Sequence, residues 1–220
     1  MKLADWMSRL GTETAFEVLA RARALEAQGR RIVHLEIGEP DFDTPENVRR
    51  RAQTALDQGF THYGPAAGLP EARAAVAEHL SKTRGVAFEP EEIIITPGGK
   101  PIIFFTILAL INPGDEVLFP DPGFPIYESM IRFVGGKAVP LPLREENDFN
   151  FDIKDLEKRL TPKTKLLILN SPANPTGGFL EKADLEKIVK ALAKYPDVMV
   201  LSDEIYSRIL YGGKHHSIAE

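Results

Sequence analysis

The sequence contains no cysteine. That excludes disulfides, cysteine-ligated zinc, iron–sulfur clusters and thiol nucleophiles. It has no long apolar run either. The longest, Ile102–Ile111, is ten residues interrupted by Thr106, and a membrane-spanning helix needs about twenty. This stretch therefore reads as a buried core helix. Positive charge is not in excess: 27 Lys and Arg stand against 32 Asp and Glu, for a net charge of −5. That is not the basic footprint of a nucleic-acid binder. There is no internal repeat and no low-complexity segment, and the 17 glycines follow no collagen period. Met1–Trp6 carries Asp5 where a signal peptide would begin its apolar stretch, so no secretory leader is read and a cytoplasmic protein is expected. His215 and His216 have no third ligand at metal spacing and are expected to form a solvent-exposed loop pair. His34, His62 and His79 are scattered and suggest no site.

At 220 residues the chain amounts to roughly one and a half domains. Hydrophobic residues at 43% and charged residues at 27% suit a globular protein. Thr12–Gln28 has helical periodicity and stops at Gly29. Ile32–Ile37 alternates as a short strand, followed by a proline- and acid-rich loop, Gly38–Pro45. Thr44 is placed to cap a helix with Pro45 in its first position, running to about Gln58. A structured loop around Tyr63 leads to a helix over Pro70–Thr83. From Glu92 onward strands and helices alternate. Strands are expected at 93–96, 116–119, 137–141, 165–170 and 198–202, with helices at 102–111, 126–134, 152–160 and 181–194. This rhythm predicts an α/β fold with a mostly parallel sheet covered by helices on both faces, a three-layer αβα arrangement.

In an open parallel sheet, ligands bind beyond the carboxyl ends of the strands. Three loops at such ends stand out. Thr96–Lys100 has a Pro-Gly-Gly-Lys turn before an apolar helix. Its glycines allow close approach of a ligand, and the helix start offers N–H groups to an anion. It also reads as a simple tight turn. Asn170–Gly178 holds Asn174 stiffly between prolines, with Asn174–Pro175 a candidate cis bond; it equally reads as a proline-rich turn. Ser202–Tyr206 sets Asp203 at the end of an apolar strand, where a carboxylate needs a cationic or hydrogen-bonding partner, with Tyr206 able to share its side. A plain helix cap by Ser202 or Asp203 is the other reading there.

Together, in this order on successive α/β units, the three loops resemble the fold-type I pyridoxal-phosphate aminotransferases of class I/II. The resemblance extends over nearly the whole chain, through Gly38–Phe42, Tyr63–Gly68, Pro97–Lys100, Pro122–Tyr127, Asn174–Gly177 and Ser202–Tyr206. It implies that Asp203 pairs with the pyridine nitrogen of pyridoxal 5'-phosphate, keeping it protonated so that the ring acts as an electron sink. Asn174 and Tyr206 would bond the ring's phenolic oxygen, and Gly99 and Lys100 would offer backbone N–H groups to the phosphate. Phe124 would stack on the ring, where many aspartate-type members carry Trp. Gly38 would lie against the substrate carboxylate. Tyr63 would reach the phosphate of a neighbouring subunit, which implies a homodimer with shared sites. Lys100 also resembles a subgroup that accepts aspartate-like acids. The implied substrates are an amino acid and a 2-oxo acid, with no nucleic acid or membrane partner.

The family's chemistry needs a Schiff-base lysine well downstream of the Asp-x-x-Tyr motif, in a Ser/Thr-rich context. Only 17 residues follow Asp203, and their one lysine, Lys214 in Gly-Gly-Lys-His-His, does not match. The chain is expected to be the N-terminal part of an aminotransferase, inactive by itself. Residues 1–44 would form an arm and helix that belong with the small domain, and 45–220 a large cofactor-binding domain incomplete at its C-terminus. A pyridoxal-phosphate lyase on the same fold and a non-catalytic remnant remain alternatives.

Overall fold

The computed structural model describes residues 2–11 and 14–220. The predicted first two positions of the opening helix, Thr12 and Glu13, lie outside them. By packing, the chain forms two compact units: Glu13–Pro70, and Met1–Thr12 together with Glu71–Glu220. These cuts differ in position from the 44/45 division suggested by sequence pattern.

The smaller unit holds α1 (Thr14–Glu26) and α2 (Glu46–Asp57). Gly29, at φ +85°, ends the first as expected, donating to the Glu26 carbonyl at 2.8 Å. The strand predicted over Ile32–Ile37 does not form. Alternation describes one face of a sheet, but a strand exists only where a neighbour accepts its hydrogen bonds. No such neighbour stands among the described residues, and Val33 and Leu35 are 76% and 89% exposed. The segment is tied instead by His34, whose ring nitrogens bond Glu26 at 3.0 Å and Glu36 at 2.6 Å. Thr44 does not cap α2: Pro45 occupies the cap position with no side-chain bond, one residue later than expected.

The larger unit begins its folded body with α3 (Pro70–Arg84). There follow α4 (Lys100–Leu110), β1 (Glu116–Asp121), α5 (Ile126–Phe133), β2 (Lys137–Pro142), α6 (Ile153–Arg159), β3 (Thr164–Asn170), α7 (Lys182–Leu192) and β4 (Met199–Asp203). Asp152 caps α6 by accepting from the Lys154 N–H at 2.8 Å. A short arm preceding α3 in sequence is latched to α5, where the Gly11 N–H donates to Ser129 Oγ at 2.9 Å.

The sheet is parallel throughout, in the order β2-β1-β3-β4. Parallel neighbours need helical crossovers, and these place helices on both faces. The two central strands show why the pattern works. Leu118 of β1 and Leu167 and Leu169 of β3 face α6 and α7, packing with Leu156, Leu185 and Ile188. Val117 and Phe119, with Leu166 and Ile168, face α4 and α5, packing with Ile103, Ile107, Tyr127 and Ile131. The three-layer αβα prediction therefore holds.

Two apolar segments depart from expectation. Ile93–Thr96 is not part of the sheet, with Ile94 67% exposed; as at 32–37, no described strand lies alongside to pair with it. The α4 helix is not buried on every side. Ile103 and Ile107 face the sheet at 4% and 0% exposure, whereas Phe105 and Leu108 stand 58% and 52% exposed. Composition gives the polarity of a helix, but only its neighbours decide how much of it is covered. Truncation of Ile103 to Ala is accordingly expected to cost about 2–5 kcal/mol. The same change at half-exposed Ile102 should cost less than about 1 kcal/mol. Urea unfolding of the two variants separates the faces, and equal losses would show that both are packed.

Candidate active site

From β1 the chain crosses to β2 on one side, then returns to place β3 on the other. Such a reversal opens a crevice at the carboxyl ends of the two strands that part. Phe124 follows β1 and Asn174 follows β3, so both enter this crevice. The glycine turn before α4 and the end of β4 complete a cleft of about 450 Å³. Six residues predicted from sequence line it: Gly99, Lys100, Phe124, Asn174, Asp203 and Tyr206. The convergence of the three loops is thus observed, although the segment entering the first is not a strand. The other two predicted residues, Gly38 and Tyr63, belong to the smaller unit. There the Gly38 backbone is open, with nothing within 4 Å of a Cβ built on it, and the Tyr63 side chain is fully exposed.

The glycine turn is built to admit a ligand. Gly98 adopts φ +91°, a conformation that favours glycine, and Thr96 Oγ1 bonds its carbonyl at 2.6 Å. A Cβ added at Gly98 or Gly99 would meet nothing within 4 Å, so space lies in front of the turn. The α4 N-terminus has no side-chain cap, leaving its positive dipole end toward that space.

Opposite it, Asp203 is held from several sides. Its Oδ2 accepts from the Tyr127 hydroxyl at 2.6 Å and its Oδ1 from the Ile205 N–H at 3.3 Å. Its carbonyl accepts from Asn170 Nδ2 at 3.1 Å and the Ser171 N–H at 3.2 Å. No ion pair among the described residues involves Asp203, although its neighbour Glu204 pairs with Arg84 and bonds the His215 ring. Burial, and then the adjacent Asp203 charge, push the Tyr127 phenol far up from its ordinary range. Tyr127 therefore stays a neutral donor. Its ring also meets Phe124 edge-on, with centroids 5.8 Å apart and planes at 86°, which fixes the aromatic wall. Asn174 receives its orientation from Asn170, whose Oδ1 accepts the Asn174 N–H at 2.8 Å, and its Nδ2 reaches the Tyr206 hydroxyl at 3.5 Å. The Asn174–Pro175 bond is cis, as anticipated.

Tyr127 and Asn170 were not singled out in the sequence. A polar residue closing an otherwise apolar strand, and a phenol on the buried face of α5, were the available signals. His215 and His216 are not an exposed pair: the His215 side chain is 8% exposed and bonds Glu204 at 3.1 Å, and His216 meets Glu220 at 3.3 Å. Residues 215–217 fold back onto the Glu204 carboxylate, which His215 and Ser217 bond. Lys214 is exposed and does not line the cleft.

The arrangement offers donors for an anion at one end and, at the other, a carboxylate with no ion pair among the described residues, with an aromatic wall between. Because the Tyr127 phenol is raised in the folded protein, its contribution to stability is complete below about pH 10 and is lost as pH rises, when the unfolded phenol ionises and the folded one does not. The Tyr127→Phe variant should therefore show a flatter alkaline fall in stability than wild type. Chemical unfolding at a series of alkaline pH values measures this, and parallel curves would show that Tyr127 is not held neutral.

Residues 30–220 match the family described as aminotransferase class I and II. The chain is 45% identical over 190 residues to an aspartate aminotransferase of Pyrococcus abyssi, covering 86% of this chain and 49% of that protein. It is 44% identical to an aspartate/prephenate aminotransferase of Thermus thermophilus, over 91% of this chain and 52% of that one. Among solved structures, an aspartate aminotransferase from Thermus thermophilus with maleate superposes with a TM-score of 0.94 at 40% identity, covering 100% of this chain and 58% of that chain. An alanine aminotransferase from Pyrococcus furiosus gives 0.93 at 34% identity, covering 99% and 56%. The chain spans about half the length of the curated relatives it matches. With its family match over most of its length and the same fold, it belongs to the class I and II aminotransferases.

Proposed function

We propose that the cleft binds pyridoxal 5'-phosphate and serves the transfer of an amino group between an amino acid and a 2-oxo acid. The observation that carries this reading is Asp203, a carboxylate fixed by Tyr127 and, among the described residues, without an ion pair, facing an open glycine turn across an aromatic wall. A protonated ring nitrogen would supply the missing cation, and the turn would receive the phosphate through the N–H groups of Gly99 and Lys100. Phe124 would lie along the ring, and Asn174 and Tyr206 would hold its phenolic oxygen. The bound cofactor would contribute an electron-withdrawing ring. The chain's own part is to bind and orient that ring and to keep its nitrogen protonated.

Members of the family generally depend on this cofactor. Relatives carry the names aspartate/prephenate, aspartate and aromatic-amino-acid aminotransferase. Lys100, which lines the cleft, is in this reading the mark of the subgroup that accepts aspartate-like acids. In the same reading Gly38 receives the substrate carboxylate, and exposed Tyr63 reaches the phosphate of a second copy in a homodimer. Residues 1–44 serve as the arm and 45–220 as the cofactor-binding portion. No helix among the described residues is long and apolar enough to cross a membrane, and a cytoplasmic location suits the proposed chemistry.

The test uses pyridoxamine 5'-phosphate, which has the same ring nitrogen and phosphate but no aldehyde to react with surface lysines. Equilibrium dialysis should show retention by the chain. Loss of the charge-assisted bond in Asp203→Ala should weaken it about 10- to 100-fold. Equal retention by wild type and Asp203→Ala would sink the reading. In turnover assays of a full-length protein that carries the Schiff-base lysine, amino acid formed from the 2-oxo acid is the expected product, whereas free ammonia from a single substrate would mark a lyase instead.

A further inference from the structure

The end of β4 carries two consecutive carboxylates with opposite surroundings. Glu204 is partnered on both oxygens. Its Oε1 accepts from Ser202 Oγ at 2.9 Å and Ser217 Oγ at 2.6 Å. Its Oε2 meets Arg84 at 2.6 Å and His215 at 3.1 Å. The side chains of Arg84, Glu204 and His215 are 13%, 15% and 8% exposed. Burial alone would raise the Glu204 carboxyl, but the bonds from Ser217, His215 and Ser202 and the Arg84 charge outweigh it and hold it below its ordinary value. The cluster therefore stays ionic and joins three segments distant in sequence: the last residue of α3, the end of β4, and the tail at 215–217.

We propose that Glu204 is a positioning residue: its cluster with Arg84, His215, Ser202 and Ser217 holds the neighbouring Asp203 carboxylate at its place in the cleft. This rests on the reading of Asp203 as the partner of the cofactor's ring nitrogen. The need for such a clamp follows from topology. Among the described residues β4 pairs with β3 only, and the chain beyond it turns irregularly. Pairing fixes the Asp203 backbone from one side, through Asn170 and Ser171. The Ile205 N–H that bonds Asp203 Oδ1 lies beyond the last paired residue and is held in place by its predecessor, Glu204. Pinning Glu204 thus fixes both the strand end and one of the two donors on the Asp203 carboxylate. It also retains Arg84 and His215 on Glu204, which leaves Asp203 for a cation from outside.

The test compares Glu204→Gln with Glu116→Gln. Glu116 is a buried carboxylate at the start of β1, bonded by Lys137 at 2.9 Å and Thr161 at 2.7 Å, and it serves as the control for general loss of packing. Two readouts are taken on the 220-residue chain: the NMR resonance of the Asp203 carboxyl carbon, assigned by its loss in Asp203→Asn, and the affinity for pyridoxamine 5'-phosphate. Glu204→Gln should move the resonance and weaken binding about tenfold, while Glu116→Gln moves neither. On an Asp203→Asn background, Glu204→Gln should change affinity by less than about twofold, because its effect passes through Asp203. An unmoved resonance in folded Glu204→Gln overturns the proposal. So does a loss that is undiminished on the Asp203→Asn background, which would mean that Glu204 meets the ligand directly. Should Glu204→Gln not fold, Ser202→Ala and Ser217→Ala each remove one bond, and an unmoved resonance in both is equally decisive. A resonance that moves while Asp203→Asn leaves affinity intact would uphold the clamp and sink the cofactor reading.

Discussion

Parallel pairing of β1 with strands on both of its sides is the constraint from which the rest follows. Neighbours that run the same way cannot be joined by a hairpin, so each link must pass over the sheet as a helix. The three links, through α5, α6 and α7, cover the two faces between them, with α4 beside α5. Strands buried on both faces must be apolar on both faces, and β1 and β3 are. The same parallel order brings every carboxyl end to one edge. Polar groups at that edge are not arranged by the strands' apolar content and are available for chemistry.

At that edge the helices do more than cover the sheet. Tyr127 belongs to α5, yet its hydroxyl ends on Asp203 of β4, 76 residues later, and its ring braces Phe124. One buried side chain thus sets both the electrostatic partner and the aromatic wall of the cleft. Asn170 does the equivalent from β3, tying the Asp203 carbonyl to the Asn174 backbone. Both residues work because burial removes water as a competitor, so each polar atom must find a protein partner.

Whether a feature was legible in the sequence follows from how local its cause is. The central strands were readable because Val117–Phe119 and Leu166–Leu169 are apolar without interruption. The glycine turn, the Asn174 loop and Asp203 were readable from residue type and their order on the chain. Ile32–Ile37, by its alternation, and Ile93–Thr96, by its run of β-branched residues, misled because both report a preference, and a strand needs a partner that local sequence does not reveal. The same holds for α4, whose Phe105 and Leu108 look like core and are exposed. Tyr127 and Asn170 escaped notice, and His215 was expected in an exposed loop, because their roles are made by contacts between distant segments.

The distribution of partners among three carboxylates, Glu116 buried and Asp203 and Glu204 partly so, gives the site its direction. At the amino end of the sheet, Glu116 has Lys137 and the Thr161 hydroxyl, and these hold its carboxyl below the ordinary value. At the carboxyl end, Arg84 and His215 both go to Glu204. Asp203, adjacent to it, receives a neutral phenol and a backbone amide. Those donors stabilise a carboxylate without neutralising it. A chain selected for stability alone would gain by pairing that charge, since an ionised group out of water is costly without a counter-ion. Among the described residues the carboxylate is fixed by neutral donors and enters no ion pair, and it is this feature on which the proposed ring-nitrogen contact rests.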